Sequence, residues 1–115
     1  MIAIATFRKL ALSYAEALEQ PHFENASFRV KKKIFATLDE KKNRAVLKLS
    51  AIDQSVFSSY DNTAIYPVPG GWGKQGWTIV ELKKVKAAIC KDALTTSYCN
   101  VAPKKLAEKY NQDAG

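Results

Sequence analysis

The apolar positions of this chain change period several times, and each change marks an element. Phe7, Leu10, Ala11, Tyr14 and Leu18 recur at steps of three and four, the stripe of a helix lying on a core. Thr6 is its expected cap, and Pro21 disfavours helix at Gln20. Residues 26–30 and 34–38 then read as two strands of a hairpin with an open register. A two-residue turn at Lys31 and Lys32 pairs Phe28 with Phe35. A three-residue turn pairs Val30 with Ile34 and gathers Phe28, Val30, Ile34, Ala36 and Leu38 on one face. Both registers turn Arg29 to the face opposite Phe28 and Val30. Neither turn offers Gly or Asn, so a lysine is expected in an unfavourable backbone conformation.

A charged turn at 39–44 leads into a third strand, 45–49. Ser50 and Asp53 have the spacing of a capping box, opening a short helix with Ile52, Val56 and Tyr60 as its buried side. A fourth strand is expected over 63–67, a wide loop over 69–73 and a fifth strand over 76–82. From about Val85 a helix carries Ile89, Cys90, Ala93, Leu94, Ser97, Tyr98 and Val101, and Pro103 suits the first turn of a closing helix through Leu106 and Tyr110. Two antiparallel groups of strands separated by one short helix, with helices at both ends, form an α+β fold in a single domain over residues 1–115. Phe28, Ile34 or Phe35, Leu47, Ile79 and Ile89 are expected to share its core.

Charge adds to this picture because it is uneven. The 115 residues include 18 basic and 11 acidic side chains, a net +7. Eight of the basic ones fall between Arg29 and Lys48 against only Asp39 and Glu40, so most of the excess sits on the first strands and their turns. The apolar run before Arg8 is too short for a secretory signal, and no run approaches the ~20 residues of a membrane span, so a cytoplasmic protein without a membrane partner is expected. Cys90 and Cys99, nine positions apart on one helix, face opposite sides and are expected as free thiols. His22 is the sole histidine, which leaves no His/Cys cluster for a metal. The Gly70 to Lys74 run lacks the spacing of a phosphate loop. Neither catalytic residues nor a cofactor are expected.

Five collinear pieces carry a family resemblance. They are Pro21-His22-Phe23-Glu24, Ser27-Phe28-Arg29-Val30, Lys33-Ile34-Phe35-Ala36, the Gly76-Trp77 that opens an apolar strand, and Ser97-Tyr98 shortly before Ala102-Pro103-Lys104. Together the chain resembles the MmcQ/YjbR family. The resemblance implies a frataxin-like (CyaY-like) arrangement, an antiparallel sheet with helices packed on one face, and DNA binding through a double wing of hairpins. Two departures stand out. Tyr14-Ala15 replaces a common Leu-Pro pair, which predicts a longer first helix, and Lys31-Lys32 replaces frequent glycines, which makes the hairpin tip unusually basic.

Two functions compete on these grounds. The first is a nucleic-acid-binding module, DNA among its ligands, using Arg29, Lys31, Lys32 and Lys33 at the first hairpin, Lys41, Lys42 and Arg44 at the next turn, and Trp72 with Lys74 on a second wing. The second is a non-catalytic protein-interaction or small-ligand domain with a pocket between the Trp72 loop and the segment from Pro21 to Phe23. A monomer is the expected state.

Overall fold

The computed structural model describes residues 1–110. Its elements in order are α1 (Ile4–Ser13), β1 (Leu18–His22), β2 (Asn25–Val30), β3 (Lys33–Asp39), β4 (Arg44–Lys48), α2 (Ala51–Tyr60), β5 (Ile65–Pro67), α3 (Gly71–Lys74), β6 (Trp77–Glu81), α4 (Ala87–Val101) and α5 (Lys104–Ala107), closed by a 3₁₀ turn at Glu108–Tyr110. The strands form one antiparallel sheet in the order β1-β2-β3-β4-β6-β5. The expected α+β architecture is therefore present. The two strand groups are fused into a single sheet because β6 returns to pair with β4, placing Lys48 opposite Trp77 and Arg44 opposite Glu81. Each edge strand carries one proline, Pro21 in β1 and Pro67 in β5.

One face of the sheet builds the core. Phe28, Val30, Phe35, Ala36, Leu38, Ala45, Leu47 and Val80 point into it and are sealed from solvent by α1 and α4. Phe7 of α1 meets Phe28 edge to face at 6.1 Å, and a ring cluster of Tyr14, Phe35, Tyr98 and Tyr110 fills the space under α4. The tyrosine hydroxyls in that cluster have partners. Tyr98 donates to the Ala15 carbonyl at 2.6 Å, Tyr110 accepts from the Ala15 amide at 2.9 Å, and Tyr14 shares a proton with Thr95 at 2.6 Å. Ala15 thus has both backbone groups satisfied just past the end of α1, where no helical partner remains.

Several expectations need correction. The helix α1 starts before Thr6, with Ala3 at its cap, and ends at Ser13 rather than running longer. Leu18 is exposed and opens β1, a strand the apolar pattern did not announce. Ile79 is buried on the far side of the sheet, outside the shared core. On α2, Ile52, Val56 and Tyr60 all face solvent, Ile52 at 77% exposure, and the buried residue is Phe57. The inward face of α2 is set by Gln54, whose amide reaches Gly73 O at 3.0 Å and Thr78 Oγ1 at 3.0 Å. Its cap is as expected: Ser50 Oγ accepts from the Asp53 amide at 3.1 Å.

The hairpin register combines both alternatives. Near the turn Val30 pairs with Lys33 and Arg29 with Ile34, the two-residue register; beyond it Phe28 pairs with Ala36 and Ala26 with Leu38, the three-residue one. The switch is a β-bulge that leaves Phe35 as the extra residue of β3. It lets Phe28, Val30, Phe35, Ala36 and Leu38 all reach the core while Ile34 turns to the other face.

Candidate nucleic-acid interface

The turn between β2 and β3 holds Lys31 at φ 49° and Lys32 at φ 70°. Two consecutive left-handed residues in a two-residue connection make a type I′ turn, the geometry that follows the strand twist and normally selects Asn-Gly. Each lysine there forgoes roughly 1 kcal/mol of backbone preference. Lys31, Lys32 and Lys33 are all exposed at the tip. Lys31 Nζ sits 2.7 Å from Glu16 Oε1, a surface pair of small energetic weight.

The bulge also opens the sheet at this end. The β3–β4 ladder stops at Ala36 and Leu47, so the Phe35 carbonyl and the Lys48 amide have no strand partner. Ser97 of α4 fills that gap: its hydroxyl donates to the Phe35 carbonyl and accepts from the Lys48 amide at 3.0 Å. Leaving such buried groups unpaired would cost about 1–3 kcal/mol each. One turn further along α4, Asn100 Nδ2 donates to the Lys48 carbonyl at 3.3 Å. Between the parted strands lies a groove of ≈ 320 Å³ lined by Lys33, Ile34, Lys48, Trp77, Asn100 and Val101. Lys48 Nζ stands 5.4 Å from the centre of the Trp77 ring and donates to the Gln75 carbonyl.

The segment that carries Trp72 and Lys74 reaches the same end, because Trp77 opens β6 opposite Lys48 and α3 lies just before it. Trp72 is 63% exposed, and Lys74 is exposed beside it. The segment that holds them is tightly fixed. A Cβ on Gly73 would lie 2.0 Å from the Val68 carbonyl oxygen, and one on Gly76, at φ 103°, would lie 1.9 Å from that of Leu49. Trp72 is thus presented to solvent from a rigid turn. Arg29 projects from the helix-free face of β2, with Nε donating to Ser27 Oγ at 3.0 Å.

Lys41, Lys42 and Arg44 do not join this group. They occupy the β3–β4 turn at the opposite end of the sheet, so the nine sequence candidates divide into two sets. Arg44 is committed within the fold, with Nη2 3.0 Å from Glu81 Oε2, which also accepts from the Tyr66 hydroxyl. Burial opposes ionisation of Glu81, but the Tyr66 and Arg44 hydrogen bonds outweigh it and hold the carboxyl below its ordinary value. The proposed pocket between the Trp72 loop and Pro21 to Phe23 does not form either, since β1 and β5 are the two opposite edges of the sheet. A cleft of ≈ 950 Å³ does include Pro21 and Phe23, but its other walls are α1 and the β3–β4 turn, joined by Arg8, which bridges Glu19 at 3.2 Å and Glu40 at 3.0 Å. Phe23 is 95% exposed at φ 57° in the turn before β2, its ring 4.8 Å from that of His22.

Lys48, Trp77 and Asn100 were not among the sequence candidates. The inward Leu47 and Leu49 already implied an outward Lys48. Trp77 is half-buried on the helix-free side, and only the β4–β6 pairing reveals its place beside Lys48.

Comparison with known proteins agrees with this fold. No curated protein matches the chain. Among solved structures, the crystal structure of Deinococcus radiodurans protein DR2400, described by its DUF419 domain, is similar with a TM-score of 0.78 and 21% identity, over 95% of this chain and 88% of that one. The YjbR family model matches residues 12–100, from within α1 to the last turn of α4. On that match, which takes in the whole sheet and the Ser97-Tyr98 pair of α4, this chain belongs to the YjbR family.

Proposed function

We propose that this domain is a non-catalytic cytoplasmic module that binds nucleic acid without strong sequence preference, through the sheet end formed by the 31–33 turn and the Trp72–Lys74 wing. The observation that carries the reading is the turn itself: Lys31 and Lys32 form a strained two-residue connection, Lys33 is exposed directly after it, and Lys48 and Lys74 lie at the same end. Such a cluster neutralises phosphates and carries no base-reading geometry of its own. Among the described residues, the helical parts that carry this interface are the four-residue α3 and the last turn of α4, both shorter than a recognition helix needs to be. The two free thiols suit a reducing compartment.

Titration of a labelled duplex and a single strand across a salt series tests the reading. With roughly three to five phosphates neutralised, log K should fall against log salt with a slope of about −3 to −4.5 for duplex. Replacing Lys31, Lys32 and Lys33 with Glu should weaken binding to all sequences alike, whereas replacing Lys41 and Lys42, at the far end, should have a much smaller effect. Undetectable binding at low salt, or a triple variant that binds like the parent, would reject it. The solvent-facing stripe of Ile52, Val56 and Tyr60 supports the second reading, a protein-interaction domain, which would then take its place.

A further inference from the structure

We infer that the groove between the parted ends of β3 and β4 is a nucleobase site, which makes single-stranded nucleic acid the ligand class of this interface. The inference rests on the nucleic-acid reading above and adds to it a place where a base is held.

The groove combines three chemistries a nucleotide needs. Trp77 supplies an aromatic surface for stacking. Lys33 and Lys48 stand on the two strands that border the groove, and Lys48 Nζ lies over the indole, 5.4 Å from its centre, so a base stacked there would have its backbone phosphate beside positive charge. Asn100 is oriented by its Nδ2 bond to the Lys48 carbonyl, and no partner among the described residues takes its Oδ1, leaving an acceptor to meet a base edge.

The placement selects the ligand. Trp77 is half-buried on a strand rather than raised on a loop, so its ring offers a stacking surface at the level of the sheet, between the lysines of the groove. A duplex keeps its bases stacked and offers only their edges and its phosphates. A single strand can turn an unstacked base inward. The groove is also built to last. It exists because the bulge at Phe35 parts the strands, and the Ser97 hydroxyl and the last turn of α4 hold them apart. Arg29, paired with Ile34 on the same sheet face, continues the positive row toward β2.

The test uses the full chain with Trp72→Phe, in which Trp77 is the only remaining indole, because the chain has two tryptophans. Three probes are compared at low salt: a thymidine oligonucleotide, a duplex of equal length, and inorganic polyphosphate as a polyanion without bases. The oligonucleotide should quench Trp77 emission and shield it from acrylamide, while duplex and polyphosphate bind without doing so. In the parent chain, Trp77→Leu should weaken the oligonucleotide about tenfold and leave polyphosphate within about twofold, and Trp77→Phe should recover most of the loss. Melting curves of both variants separate this from misfolding. Oligonucleotide binding that leaves Trp77 emission unchanged, or an equal response to polyphosphate, overturns the base site while the electrostatic interface stands. Absence of binding of all three probes by the parent chain, with both tryptophans in place, overturns both.

Discussion

Lys31 and Lys32 occupy backbone conformations that glycine or asparagine adopts with less strain, and on the proposed nucleic-acid reading this sets stability against binding at two adjacent residues. Replacing them with Asn and Gly should raise unfolding free energy by about 1 to 2 kcal/mol, from relief of left-handed strain. The same change removes two exposed charges, so affinity for nucleic acid should fall. Urea unfolding and salt titration on one preparation check both signs. A double variant that is less stable than the parent would mean that these lysines make contacts beyond the Glu16 pair. The strain could be anticipated from the missing Gly or Asn. What could not be read was how the two registers combine, because the bulge is decided by the long-range need to bury Phe35 along with Phe28 and Ala36.

At the scale of elements, legibility followed burial. The strands β2, β3, β4 and β6 each bury at least two residues deeply, and their apolar runs were readable. The strand β1 leaves four of its five residues exposed, so Leu18 to His22 carries no alternation to detect. The helix α2 misled for the opposite reason, since its strongest apolar stripe points outward and its inward contacts are made by Gln54 and Phe57. Truncation shows which face counts. Phe57→Ala should cost about 3 to 5 kcal/mol, and Ile52→Ala should stay within about 0.5 kcal/mol, both measured by denaturant unfolding. A large loss at Ile52 would place that stripe against a partner surface, such as a second copy. The candidate interface was legible as charge, in the 31–33 run, but not as geometry. That Lys48 and Trp77 share a groove, and that Lys41, Lys42 and Arg44 do not reach it, depends on strand order, which no local pattern encodes.

For the whole molecule, the aromatic cluster under α4 predicts a pH response on the alkaline side. Burial pushes Tyr14 and Tyr98 up to about 12 from an ordinary 10.0, and Cys90 up to about 12 from 9.0. Raised acid groups favour the fold while they stay protonated. Their contribution is therefore complete below the ordinary values and lost as pH climbs from 9.0 toward about 12. Equilibrium unfolding should show a steep decline over that interval, and absorbance titration of the folded chain should find Tyr14 and Tyr98 ionising only as it unfolds. Two tyrosines that titrate near their ordinary value with the fold intact would contradict the packing under α4. The prolines at the rims of the sheet bear on a different matter. Pro21 and Pro67 each lack an amide hydrogen on the outermost strands, and β5 is only three residues long. Neither rim offers an unbroken row of donors for another chain to extend. On the proposed reading, a nucleic acid crowded with these domains should therefore release them one at a time rather than as strand-linked aggregates.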